Sequence, residues 1–118
     1  ASLPDLFHSL SLEPRERAAA DYLRGMGASG LGVEAAARTA AVLSTGAEGA
    51  IPLKEGEAAA MAAQNTSYAC VEKNIRSMVG KLQAGACGEY QALMGGLPAE
   101  RPSNELFLRR LARRILEW

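Results

Sequence analysis

The sequence predicts an all-α fold, a small bundle of four to five helices with one long central helix and a C-terminal amphipathic helix. Apolar residues recur at spacings of three and four along most of the chain. Alternating apolar and polar stretches rich in Val, Ile and Thr, which are typical of β-strands, are absent from the sequence. A length of 118 residues suits one domain over 1–118, with a lead-in segment at 1–12 and a docking helix at 103–118.

Two helices are predicted in the N-terminal part of the chain. Ser11 is expected to cap a helix that carries Pro14 in its first turn, where a missing N–H has no cost. This helix is expected to end at Gly25 or Gly27. Its apolar stripe consists of Leu12, Ala19, Tyr22, Leu23 and Met26. An alanine-rich second helix is predicted from Val33 to Leu43.

The long central helix is predicted from Glu55 to about Gln83. A loop over residues 44–52 precedes it, with Pro52 at the helix entry. Five apolar residues within the helix have the 3, 4, 3, 4 spacing of a coiled-coil seam, and they are Tyr68, Val71, Ile75, Met78 and Leu82. Met61 extends this seam towards the N-terminus, so the sequence predicts one unbroken rod packed along its apolar edge.

The C-terminal helix over 103–118 is the most clearly amphipathic segment. It follows a short helix predicted around residues 89–94 and a linker rich in Gly and Pro, and its cap is expected at Ser103 or Asn104. On a helix, the apolar side chains of Phe107, Leu108, Leu111, Ala112, Ile115 and Trp118 share one face, opposite four arginines. The predicted partner-binding residues are Phe107, Arg109, Arg110, Leu111, Arg113, Arg114 and Trp118. A solvated arginine face is the alternative interpretation of this pattern.

The charge balance excludes a global basic or acidic field. Basic and acidic residues both number 13, so nucleic acid would be attracted only locally, by the arginines of the C-terminal helix. No apolar run reaches the ~18 residues of a membrane span, which predicts a soluble or peripheral protein. Contact of the amphipathic helix with a membrane surface stays open.

The cysteines are predicted to be separate thiols. If the central helix is continuous, Cys70 lies about 18 Å from its end, and bridged cysteines need Cα atoms closer than about 7 Å. Two thiols and the single histidine, His8, are too few ligands for a structural zinc site. Free thiols favour a reducing compartment, and Ala1 in place of Met favours a processed chain, including import into an organelle.

Two motifs have a functional interpretation that the context weakens. Gly25, Gly27 and Gly30 match the G-x-G-x-x-G fingerprint of dinucleotide sites, but the segment before them is helix-forming rather than a buried strand. The same segment can also be interpreted as a helix-turn-helix. Its second helix, however, has Arg38 as its only basic residue, and Glu34 lies near the end that would meet DNA. The sequence Asn65-Thr66-Ser67 is a glycosylation acceptor inside the predicted long helix, and we treat it as incidental.

These observations favour a non-catalytic helical accessory or adaptor subunit that acts through protein–protein interaction or self-association. No cofactor and no metal are predicted. The first alternative is a nucleic-acid-associated protein that uses the C-terminal Arg helix. The second is a small cofactor-binding protein or enzyme that uses the Gly25–Gly30 loop.

Overall fold

The computed structural model describes the backbone of residues 3–118 and the side chains of residues 12–118. Within this range no strand is present and the prediction of an all-α fold is confirmed. A single apolar cluster takes side chains from every helix. Among the described residues, no helix combines the length and the apolarity needed to cross a bilayer. The helices are α1 (Leu3–Gly25), α2 (Leu31–Leu43), α3 (Leu53–Gln64), α4 (Tyr68–Gly85), α5 (Gly88–Met94) and α6 (Asn104–Leu116).

The prediction of one long central helix is wrong, and this raises the helix count of the described chain to six. The chain breaks at Asn65, which adopts the left-handed conformation with φ 49° and ψ 53°. Asn tolerates this conformation better than most residues because its short polar side chain bonds locally. Two residues later Ser67 caps α4, its hydroxyl accepting a hydrogen bond from the Cys70 N–H at 3.2 Å. The seam therefore survives only within α4, where Val71, Ile75, Met78 and Leu82 are buried.

Helix α1 begins earlier than the sequence suggested. It is continuous from Leu3, so Ser11 lies inside the helix rather than at its cap, and Pro14 also lies inside. The predicted end at Gly25 is confirmed, and Gly27 follows with a φ of 96°. The single histidine, His8, lies outside the residues whose side chains are described.

Helix α2 lies at the centre of the fold and packs against α1, α3, α4 and α6. Glycines make two of these contacts close. A Cβ added to Gly32 would lie 2.5 Å from the backbone oxygen of Asn74 on α4. A Cβ on Gly56 of α3 would lie 2.9 Å from the backbone oxygen of Thr39 on α2. Helix α2 therefore fixes the positions of both α3 and α4.

Helix α6 completes the core. Its predicted cap is confirmed, because the Ser103 hydroxyl accepts a hydrogen bond from the Leu106 N–H at 3.1 Å. The predicted apolar face is buried in the protein's own core at Phe107, Leu108, Leu111, Ala112 and Ile115. Trp118, beyond the helix, packs edge-on against Tyr22 with ring centroids 5.3 Å apart and stays 51% exposed.

Candidate nucleic-acid interface

Helices α3 and α4 are joined by a short turn. The turn consists of residues 65–67, a three-residue connection of the length found in the helix-turn-helix motif. The left-handed Asn65 ends the first helix, and the Ser67 cap starts the second. Because α2 packs against both helices, the pair of helices is supported on one side and leaves a face of α4 open.

The open face of α4 is opposite its buried seam. At about 100° per residue, the exposed residues from Ala69 to Ala84 cover roughly 140° of the helix surface. Most of them are small, which lets the backbone of α4 approach a partner closely. Ala69, Cys70, Lys73, Arg76, Ser77, Lys81 and Ala84 are exposed, and Gly80 lies half-buried among them. We call this set the α4 face.

The charged members of the α4 face are all basic. They are Lys73, Arg76 and Lys81, and none of them lies within 4.0 Å of a carboxylate among the described residues. The one acidic residue of α4, Glu72, is directed towards α6, where Asn104 Nδ2 donates to its Oε2 at 3.2 Å and to its backbone oxygen at 3.0 Å. The α4 face therefore has a net positive charge, which the Glu72 carboxylate offsets in part through its attraction to nearby Arg76.

The first turn of α4 carries two further polar groups. Hydrogen bonding to Ser67 and Thr66, aided by nearby Lys73, lowers the pKa of the Cys70 thiol. A hydrogen bond to the Glu72 carboxylate raises the pKa of Tyr68. Both cysteines are free, as predicted, with Cys70 exposed and Cys87 half-buried.

A buried carboxyl group lies behind the α4 face. Glu57 of α3 is 1% exposed, and neither of its oxygens receives a hydrogen bond from a donor among the described residues. Burial, together with a hydrogen bond to Glu72 and the nearby charges of Glu72 and Glu105, raises the pKa of Glu57 to about 8. The hydrogen bond from Glu57 lowers the pKa of Glu72. At pH 7, which is below this value, Glu57 therefore holds its proton.

The structure divides the predicted partner-binding residues of α6 into two groups. Phe107 and Leu111 are fully buried, so in this structure they belong to the core and are not presented at the surface. Arg109 is half-buried and engaged within the chain, because its Nη1 donates to the Ile51 backbone oxygen at 2.9 Å and its Nη2 lies 3.7 Å from Glu105.

The remaining α6 residues are at the surface. Arg114 donates to Glu117 at 3.0 Å and lies over the Tyr22 ring at 6.0 Å from its centroid. Arg110 lies half-buried beside Gly95, and Arg113 is exposed. With the half-exposed Trp118, these residues form a smaller surface than the sequence predicted.

The glycine loop borders a depression of about 390 Å³. Residues 19–24, where a dinucleotide fold needs a strand, are helical. Gly27 and Gly30 have positive φ angles of 96° and 83°, as a tight helix-to-helix connection requires. The loop faces Ser77 and Lys81 of α4 across the depression, so the loop extends the surface beside the α4 face.

No family model, curated protein or solved structure matches the chain. The functional inference therefore comes from the geometry of the chain itself. The sequence analysis did not single out Lys73, Arg76 or Lys81, because it treated residues 55–83 as one continuous rod and considered only its apolar edge. The available signal was Asn65 followed by Ser67, a residue tolerant of the left-handed conformation two positions before a strong N-cap.

Proposed function

We propose that this protein binds double-stranded DNA, with α4 as the recognition helix of the α3–α4 helix-turn-helix. The observation that carries the proposal is the α4 face: an exposed, capped helix of 18 residues whose charged outward residues are all basic. In helix-turn-helix proteins the second helix lies in the major groove, and its N-terminal residues contact base edges. The narrow major groove of RNA does not admit side chains in this way, which favours DNA.

The residues of the α4 face suit different parts of a duplex. Lys73 and Arg76 lie in the first half of α4, where base edges are contacted, and Arg pairs well with guanine. Lys81 lies two turns further along and suits a phosphate contact. The small residues between them keep the helix surface flat, which allows deep entry into the groove. We propose that binding, rather than catalysis, is the activity of the protein.

The test is fluorescence anisotropy with a labelled pool of random-sequence duplexes about 20 base pairs long, titrated between about 50 and about 200 mM salt. We expect affinity to fall steeply as salt rises, because phosphate contacts release counterions. Arg76→Ala and Lys73→Ala should each weaken binding about tenfold. Enrichment of a common sequence from the pool would define the specific site.

The matched control is Arg17→Ala, which removes an exposed arginine from a different helix, α1. This variant should change affinity less than about twofold. Equal losses in Arg17→Ala and Arg76→Ala would contradict recognition by α4. A larger loss in Arg113→Ala than in Arg76→Ala would instead favour binding through the C-terminal Arg helix.

A second candidate function is the accessory or adaptor role, through protein–protein interaction or self-association. It is favoured by Trp118 and Leu116, which are 51% and 52% exposed at the end of α6, beside Pro14 and Ala18 of α1. Light scattering after gel filtration should then report a dimer that Trp118→Ser converts to a monomer. Leu97→Ser, which alters a side chain of similar exposure elsewhere, is the control, and a monomeric parent chain would contradict self-association.

A further inference from the structure

The segment between α5 and α6, residues 95–103, is fastened to α4 by hydrogen bonds, and we call it the α5–α6 linker. Gln83 Nε2 of α4 donates to the Pro98 backbone oxygen at 2.6 Å. The side-chain oxygen of Gln83 accepts from the Tyr90 hydroxyl, also at 2.6 Å, and Tyr90 is fully buried. At the far end of the linker, Ser103 caps α6. The linker is therefore held both near its middle, at Pro98, and at its end.

Arg101 of this linker lies against the α4 face. A Cβ added to Gly80 would lie 3.5 Å from the Arg101 Cδ, so the aliphatic part of the arginine lies beside this glycine. Arg101 is exposed, and no ion pair within the described range of the chain includes it. It therefore adds a fourth basic side chain without an ion pair to the three that the α4 face itself provides.

The linker approaches the α4 face from the edge opposite Lys81. At about 100° per residue, Gln83 lies about 60° to one side of Gly80 on the helix surface, and Lys81 lies about 100° to the other side. Gln83 bonds the linker, whereas Lys81 borders the depression beside the glycine loop. Basic side chains from two different parts of the chain therefore flank α4, at nearly the same level along the helix axis.

We propose that the α5–α6 linker is a second DNA-contacting element, in which Arg101 contacts a phosphate of the strand on the opposite side of α4 from Lys81. This inference rests on the proposed DNA-binding function. A helix in the major groove, which is about 12 Å wide, has a sugar–phosphate backbone on each side. Cations on the two sides of the helix therefore meet phosphates of different strands. The planar guanidinium of an arginine suits this contact, because two of its N–H groups match two phosphate oxygens.

The contact has a different role from that of Arg76. Phosphate contacts fix the register and orientation of a protein on the duplex and do not distinguish one sequence from another. Because the linker is bonded to α4 through Gln83, a phosphate held by Arg101 fixes how α4 is oriented in the groove. Loss of Arg101 therefore weakens binding to all sequences alike, whereas loss of Arg76 changes which sequences are preferred.

The experiment measures the affinity of the full chain for the random-sequence duplex pool between about 50 and about 200 mM salt. The forms compared are the parent chain, Arg101→Ala, Arg101→Lys and Glu100→Gln. We expect Arg101→Ala to bind about fivefold more weakly at the lowest salt and to reduce the slope of log affinity against log salt by about 1. Arg101→Lys keeps the positive charge and should keep the slope. Glu100→Gln removes an exposed charge from the adjacent linker position and should not weaken binding.

Sequences enriched from the pool supply the second readout. Arg101→Ala should enrich the same sequences as the parent chain, and Arg76→Ala should not. An Arg101→Ala form with the affinity and salt slope of the parent overturns the linker contact and leaves the DNA-binding proposal intact. A loss in Glu100→Gln equal to that in Arg101→Ala, or a changed sequence preference in Arg101→Ala, also overturns it. If the parent chain binds no duplex at any salt concentration, the DNA-binding proposal itself fails, and the linker contact fails with it.

Discussion

Helices α4 and α6 have similar caps and buried faces, but they differ in how many of their basic side chains are paired within the protein. Each is capped by a serine, Ser67 or Ser103, and each buries one apolar face in the common core. On α6, neighbours engage Arg109 and Arg114 but form no ion pair with Arg110 or Arg113, and on α4 none of the three basic residues has an ion pair among the described residues. The strong amphipathicity of α6 thus reflects burial of its apolar face in the protein's own core.

The largest expected effect concerns the buried faces of both helices. Ile75→Ala on α4 and Leu111→Ala on α6 each remove a side chain that is fully buried. Each should reduce the free energy of unfolding by about 2–5 kcal/mol, because a cavity is left in the core. Urea unfolding followed by circular dichroism measures this loss. Arg113→Ala is the control and should change stability by less than about 0.5 kcal/mol.

A small effect of Leu111→Ala would change the comparison. If this substitution cost less than about 1 kcal/mol, α6 would be held loosely by the core. Its apolar face would then be available to a partner, as the sequence alone suggested. The accessory role would gain support over DNA binding through α4.

The two helices also differ in how well the sequence predicts them. For α6, capping and apolar spacing agree with the tertiary environment, and both the cap at Ser103 and the buried face are confirmed. For α4, the heptad-like spacing from Met61 to Tyr68 bridges the break at Asn65, because periodicity records which face is apolar and not whether the backbone is continuous. The fold class followed from local patterns, whereas the helix-turn-helix depended on one left-handed residue.

The candidate site was harder to predict for a further reason. Whether an arginine side chain is hydrogen-bonded within the protein depends on residues that are distant in the sequence. Arg109, for example, donates to the backbone oxygen of Ile51, 58 positions earlier. Glu57 is likewise 1% exposed in the assembled fold although it is an acid on a helix. No local pattern contains this information, since it arises only when the helices are assembled.

The second prediction concerns the effect of the buried Glu57 carboxyl of α3 on the free energy of unfolding at different pH values. The folded chain holds the Glu57 proton up to about pH 8, whereas the unfolded chain releases it near pH 4.5. Between these values the unfolded state binds fewer protons, so the free energy of unfolding falls as pH rises. Glu57→Gln should stabilise the protein at pH 7 by roughly 3 kcal/mol. Thermal melts at pH 5 and pH 7 measure this, and the gain should be smaller at pH 5.

The matched control is Glu55→Gln, which neutralises an exposed acid two positions earlier on α3. It should leave the pH dependence of the melting temperature as it is in the parent chain. Equal gains at pH 5 and pH 7 in Glu57→Gln would contradict a buried proton and indicate improved packing instead.

The third prediction uses the close contact between α2 and α4. Gly32→Ala places a Cβ against the Asn74 backbone oxygen, a backbone atom that cannot move without shifting α4. We expect a loss of about 1–3 kcal/mol and a lower affinity for DNA. Gly25→Ala is the control, since a Cβ there meets nothing within 4 Å. An unchanged stability in Gly32→Ala would show that α4 is free to move relative to α2.

The smallest expected effect compares the two caps directly. Ser67→Ala and Ser103→Ala remove equivalent hydrogen bonds, from the Cys70 N–H at 3.2 Å and from the Leu106 N–H at 3.1 Å. Each should cost about 1 kcal/mol of stability, measured by urea unfolding. Only Ser67→Ala frays the first turn of the proposed recognition helix, so it alone should weaken binding of the duplex pool, by about threefold. Equal binding by the two variants would contradict a special role of α4 in DNA binding. Loss of a serine cap would then have the same effect on duplex affinity in both helices.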